Sequence, residues 1–128
     1  MIVDSTLINS LVRDDPVAAD TIEELIDSGT PIAFSALTVF EVDVGLRGAA
    51  AQHRERFESV ADRLEVVPLT RDVAHHAAAI QRDLYDDGEP IGVVDVLIAA
   101  TALARDEDVL TQNVDEFERV EGLNVETY

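Results

Sequence analysis

Four polar residues stand where an apolar framework should leave none. Asp4 directly follows the apolar run Met1-Ile2-Val3, and Glu41 lies among the hydrophobes Val39, Phe40, Val42, Val44 and Leu46. Asp95 falls in the first turn of the apolar stretch 93–104, and Asn113 follows Val109-Leu110-Thr111 closely. Acids in such surroundings repel one another and lose hydration, so each needs a proton, a partner or a cation. A divalent ion among them relieves both penalties. With oxygen donors only, and neither Cys nor His in the set, Mg²⁺ or Mn²⁺ is favoured over zinc. Such ions activate a bound water and stabilise charge at a phosphoryl centre during in-line displacement. Phosphodiester hydrolysis is the chemistry these side chains suit best.

The elements that would position these groups read as short strands alternating with helices. Met1-Ile2-Val3 is a first strand, and Ser5 or Thr6 is the expected cap of a helix to Val12. Asp14-Asp15-Pro16 opens a second helix, which Ser28-Gly29 stops. Ile32-Ala33-Phe34 is a second strand, and Ser35 or Thr38 opens the helix that contains Glu41. Residues 49–63 read as one charged amphipathic helix with Phe57, Val60 and Ala61 inward. A third strand lies within residues 64–69, and Thr70 caps a long helix to about Tyr85. Pro90 and Gly92 lead into the helix of Asp95, which is apolar on almost every face and is expected to be buried all round. Val109-Leu110-Thr111 and Leu123-Asn124-Val125 are the last strands, with a short helix around Phe117 between them. The alternation predicts an α/β domain, a parallel sheet with helices on both faces. Ligands of such sheets bind beyond the carboxyl ends of the strands, where Asp4 and Asn113 fall.

Composition sets the outer limits. A chain of 128 residues is expected to form one domain, residues 1–128, around a single core. Its hydrophobic fraction is 47% but its aromatic fraction only 5%, so Val, Ala, Leu and Ile must fill that core. The absence of cysteine excludes a disulfide framework and a thiolate metal site. No apolar run is long enough for a membrane span, and the first residues lack the basic region of a signal peptide. A soluble, cytoplasmic protein is the expectation. The charge is unusual: 27 acids stand against 9 bases, for a net charge of −18, and every base is arginine. Acid spread this evenly, without lysine, points to a halophilic source, where salt screens the self-repulsion. The same charge argues against nucleic-acid binding through a large basic patch. Arg47, Arg54, Arg56 and Arg105 are expected to form a local basic strip instead, since arginine suits phosphate geometry.

Along nearly its whole length the chain resembles the PIN-domain ribonucleases, and among them the VapC toxins of toxin–antitoxin pairs. The resemblance rests on Met1-Ile2-Val3-Asp4-Ser5-Thr6-Leu7-Ile8 and on Ser35-Ala36-Leu37-Thr38-Val39-Phe40-Glu41 before Gly45. It continues through Pro90-Ile91-Gly92-Val93-Val94-Asp95-Val96-Leu97-Ile98-Ala99-Ala100-Thr101 and ends on Leu110-Thr111-Gln112-Asn113-Val114-Asp115-Glu116-Phe117. Each piece alone is weakly specific, but four in order at these separations are strongly so. The resemblance implies a PIN-like three-layer domain whose short central parallel sheet has about four to five strands. It implies that Asp4 and Asp95 are the principal Mg²⁺ or Mn²⁺ ligands and that Glu41 completes the cluster, directly or through water. For the fourth position, some relatives carry an acid where Asn113 stands. Others carry Asn there with an acid three residues on, here Glu116, while Asp115 adjoins the slot. Ser5 and Thr111 look like the hydroxyls that hold a carboxylate or a phosphate oxygen in place. The implied activity is that of a metal-dependent endoribonuclease acting on RNA of the tRNA or rRNA class. The implied partners are a cognate VapB-like antitoxin, docking on the apolar helices at residues 17–26 and 40–46, and a second copy in a homodimer.

Each of these residues also has a plain structural reading. Asp4 would serve as a helix N-cap, Asp95 as a partner for the helix dipole, Glu41 as an ion-pair partner of Arg47, and Asn113 as a turn former. Glu116 reads as a surface acid, and His75-His76 as neighbours on an exposed helix. Two functional alternatives stand beside the toxin. One is a PIN nuclease of RNA maturation or one that acts on DNA. The other is a degenerate PIN domain that binds RNA or a partner without cutting. A phospho-acceptor receiver domain is excluded, because it would need a lysine that this chain lacks.

Overall fold

The computed structural model describes all 128 residues, Met1–Tyr128. Its centre is a parallel sheet of five short strands: β1 (Ile2–Val3), β2 (Ala33–Ser35), β3 (Glu65–Val67), β4 (Val109–Leu110) and β5 (Val125–Glu126). The strands run in the order β3-β2-β1-β4-β5. Ile2 is in register with Ala33 on one side and Val109 on the other, and Val3 with Leu110. Seven helices cover the sheet: α1 (Ser5–Val12), α2 (Pro16–Asp27), α3 (Ala36–Gly45), α4 (Arg54–Arg63), α5 (Arg71–Asp86), α6 (Val93–Arg105) and α7 (Val114–Phe117).

Side chains alternate along each strand, so strands this short divide their residues between two cores. Ile2, Ala33, Val67 and Val109 face α5 and α6, where they meet Leu84, Ile98 and Phe117. Val3, Phe34 and Leu110 face the other way, against α1, α2 and α3, with Ile8, Ile22 and Val42. Burying each such large side chain contributes roughly 1.5–3 kcal/mol. The expected three-layer α/β arrangement is present, with a sheet of five strands.

Several local expectations need correction. The cap of α1 is neither Ser5 nor Thr6 but Asp4, whose side chain accepts from the Leu7 N–H. The helix expected over residues 49–63 is split. A 3-10 segment, Gly48–His53, precedes α4, and His53 at φ −90°, ψ 0° marks the change. That segment buries no residue, so no apolar face holds it in α geometry despite its alanines. Helix α6 is buried through its middle, but Val93 in its first turn is 70% exposed. Asp95 therefore lies at the rim of the core. His75 and His76 are exposed on α5, as expected. No helix is long and apolar enough to cross a membrane.

Candidate active site

The strand order places a switch point between β1 and β4. The chain leaves β1 toward β2 and β3, then returns to the far side of β1 as β4. The carboxyl ends of β1 and β4 are therefore the crevice where such sheets bind ligands. Asp4 follows β1 there, and Thr111 follows β4.

Asp4 is buried and uses both carboxylate oxygens. Oδ1 accepts from the Leu7 N–H at 2.9 Å and Oδ2 from the Thr111 hydroxyl at 2.6 Å. The cap reading of Asp4 is thus correct, and its second oxygen is free of the cap and reaches across to the end of β4. Burial pushes its carboxyl above the ordinary value, the hydrogen bonds from Thr111, Leu7 and Thr6 pull it back, and the charge of Glu41 raises it further. Thr111, itself fully buried, accepts from the Asn113 N–H at 2.9 Å and so ties the end of β4 to Asp4.

Asn113 forms that local turn, but its side chain reaches further. Nδ2 donates to Asp95 Oδ2 at 3.1 Å and to Glu116 Oε2 at 3.0 Å. Asp95 is raised to about 6, first by burial, next by a proton shared with Glu116, then by the charges of Glu116, Asp4 and Glu41. Glu116 is therefore no free surface acid, whereas Asp115 points to solvent. Gly92 lies beside Asp95, where a Cβ would sit in ordinary van der Waals contact, 3.6 Å from Oδ2. Glu41 is exposed on α3 and forms no ion pair with Arg47 or any other base. The Ser5 hydroxyl meets that of buried Thr38 at 3.0 Å. Thr38 and the Tyr128 phenol were not foreseen. Burial and the charges of Asp4 and Asp15 push Tyr128 up to about 12.

Does this donor set fit a divalent cation? No three acids stand close enough to hold one without side-chain movement. The chemistry does fit: only oxygen donors are present, and the repulsion that raises Asp95 is relieved by positive charge. In a carboxyl NMR titration of metal-free protein, Glu116→Gln should move the midpoint of Asp95 from about 6 toward 3.8. An unmoved midpoint would remove Glu116 from the cluster.

The expected basic strip is not formed. Arg54 pairs with Asp43 and Arg56 with Asp14, each at 3.0 Å. Arg105 pairs with Glu65 and Glu107 at the opposite end of the sheet.

The family model of the PIN domain matches residues 1–123. This chain belongs to the PIN-domain family. It is 36% identical over 116 residues to a ribonuclease VapC19 of Mycobacterium tuberculosis, covering 91% of this chain and 90% of that protein. It is 32% identical to the tRNA(fMet)-specific endonuclease VapC of Salmonella typhimurium, covering 76% of this chain and 75% of that one. This PIN domain is therefore of the VapC type. A crystal structure of DNA-bound VapBC from Salmonella typhimurium superposes with a TM-score of 0.84 at 28% identity, covering 98% of this chain and 96% of the other. VapBC2 of Rickettsia felis, at 22% identity, shares the fold with a TM-score of 0.88 over 99% and 97% of the two chains.

Proposed function

We propose that this PIN domain is a metal-dependent endoribonuclease and the toxin of a type II toxin–antitoxin pair. The observation that carries the reading is the link Thr111–Asp4 beside Asp95–Asn113–Glu116 at the sheet's switch point. Asp4, Asp95 and Glu41 are the proposed ligands of Mg²⁺ or Mn²⁺, with Glu116 bringing the charge that Asn113 lacks. A bound ion of this kind supplies an activated water and offsets charge at the phosphoryl centre. Thr111 holds Asp4, and the Asn113 amide orients Asp95 and Glu116 by donating to both. The proposed substrate is single-stranded or loop RNA of the tRNA or rRNA class, where bases are accessible. A degenerate, non-cutting domain is disfavoured because Glu116 occupies the cluster.

The antitoxin is the proposed partner of a groove of about 660 Å³ between α2 and α4. Ile22, Ile26, Val60 and Leu64 give it an apolar floor, with Arg56 and Arg63 also in its lining. Ile26, in its wall on α2, is 57% exposed. Phe40 and Val44, four residues apart on one side of α3, are exposed apolar surface on the other helix expected to dock the antitoxin.

The test is incubation of purified protein with total RNA in molar KCl, with Mg²⁺, Mn²⁺ or EDTA. Cutting that either metal supports and EDTA stops is the expected result. No cutting of any RNA pool by folded protein would shift the reading to a binding module.

A further inference from the structure

We propose that Arg13 anchors a phosphate of the RNA strand beside the scissile bond, at the far end of a polar groove that starts at the acidic cluster. The proposal rests on the ribonuclease reading and adds a substrate-binding residue to it. The groove, of about 310 Å³, is lined by Ser5, Thr6, Asn9 and Arg13 from one side, and by Glu41 and Gly45 from the other. Residues 5, 9 and 13 are spaced by four and so share one face of α1. That face is opposite in character to the one with Leu7, Ile8, Leu11 and Val12, which are buried. From Ser5 to Arg13 the helix rises about 12 Å. The groove therefore runs from the neighbour of Asp4, past Glu41, to a guanidinium.

The charge pattern singles out this arginine. Asp14, next to it in the chain, is paired with Arg56, and Asp43, on α3 near Gly45, is paired with Arg54. Both of these acids are engaged by other arginines, and the one carboxylate in the groove's lining, Glu41, forms no ion pair with Arg13. Its own contact is with a neutral acceptor: Nε donates to Asn9 Oδ1 at 3.2 Å. That bond steadies the side chain without cancelling its charge and leaves most of its donors free. Gly45 on the opposite wall faces the guanidinium, since a Cβ there would stand 3.8 Å from Nη2. In a chain of net charge −18, an unneutralised guanidinium in a polar groove that includes a carboxylate of the cluster is a local attraction for a phosphate.

The experiment compares the parent, Arg13→Ala, Arg13→Lys and Arg105→Ala, all checked for unchanged melting. Cleavage is read as KM and kcat. Binding of single-stranded RNA is read in an Asp95→Asn background as the slope of log Kd against log salt. Arg13→Ala should raise KM about tenfold with little change in kcat. Its salt slope should fall by about 0.7, the loss of one phosphate contact on a single strand. Arg13→Lys should restore the slope and part of KM, and Arg105→Ala should match the parent. A KM and slope unchanged in Arg13→Ala, in protein that still cuts RNA, would overturn the anchor and leave the ribonuclease standing. Weaker antitoxin binding alone, with RNA kinetics intact, would also overturn it. Folded parent protein that neither cuts nor binds any RNA would remove the ribonuclease reading and the anchor together.

Discussion

An Asp95→Asn protein should lose RNA cleavage by about a thousandfold, yet in EDTA at neutral pH it should melt above the parent. The first effect follows from removing a charged ligand from the proposed metal site. The second follows from what that charge does when no cation is present. Asp95 is half-buried at the rim of α6, shares a proton with Glu116, and feels the charges of Asp4 and Glu41. Its carboxyl is raised from 3.8 to about 6 for those reasons. A raised acid contributes stability that is fully present below its unfolded value and is lost as pH rises through the folded one. Above pH 6 the ionised side chain is therefore a net cost to the metal-free fold. Asn keeps an oxygen to accept from the Asn113 amide and removes the charge.

The shift corresponds to at most about 3 kcal/mol, and water at the rim screens part of it. The expected gain is about 3–8 °C in Tm. Melting curves of both proteins in EDTA, at pH 4 and pH 7.5, separate the effects. The gap between the two should open as pH rises and nearly close in acid. Added Mg²⁺ or Mn²⁺ should stabilise the parent more than the variant. A variant that melts below the parent at neutral pH, or that still cuts RNA, would make Asp95 a structural acid.

The contrast between a legible framework and partly illegible contacts has a physical basis. Short apolar runs, each closed by a polar residue, suffice to place strands, and their alternation with helices dictates a parallel sheet. The convergence of Asp4, Asp95 and Asn113 follows from that topology, because each lies after a strand or at a helix start. The partner of Asp4, by contrast, is 107 residues away, and no local pattern shows that the Thr111 hydroxyl meets it. Glu116 looked like surface because α7 has only four residues, too few to show a face. Its packing beside α6 decides the matter. The basic strip failed for a related reason. The sequence shows the charge of Arg54 and Arg56 but not that acids on α3 and in the α1–α2 turn claim both of them. Ser5, Asn9 and Arg13 at spacings of four, opposite an apolar face, are a readable signal for a polar wall.

Thr111→Val should reduce cleavage by about 10–100-fold in a protein that still folds. Valine keeps the size and β-branching of threonine, so the fully buried site stays filled. What disappears is one hydroxyl with two duties: it donates to Asp4 Oδ2 and accepts from the Asn113 N–H. Asp4 would keep only its bonds from the backbone of Leu7 and Thr6, and its carboxyl, already raised by burial, would lose the strongest of the bonds that lower it. The ligand would then be both less firmly oriented and less readily ionised. Asn113 would lose the turn that aims its amide at Asp95 and Glu116, so the damage reaches both sides of the cluster. Leaving a buried acceptor and a part-buried N–H without partners costs about 1–3 kcal/mol, which lowers Tm by a few degrees. Thr111→Ser supplies the control, since it retains the hydroxyl and gives up only a methyl group. Serine should keep most of the cleavage and valine little, at comparable fold content by circular dichroism. Equal cleavage by the valine and serine variants would show that Asp4 needs no hold beyond its helix cap, and that the link across the switch point between β1 and β4 serves the fold alone.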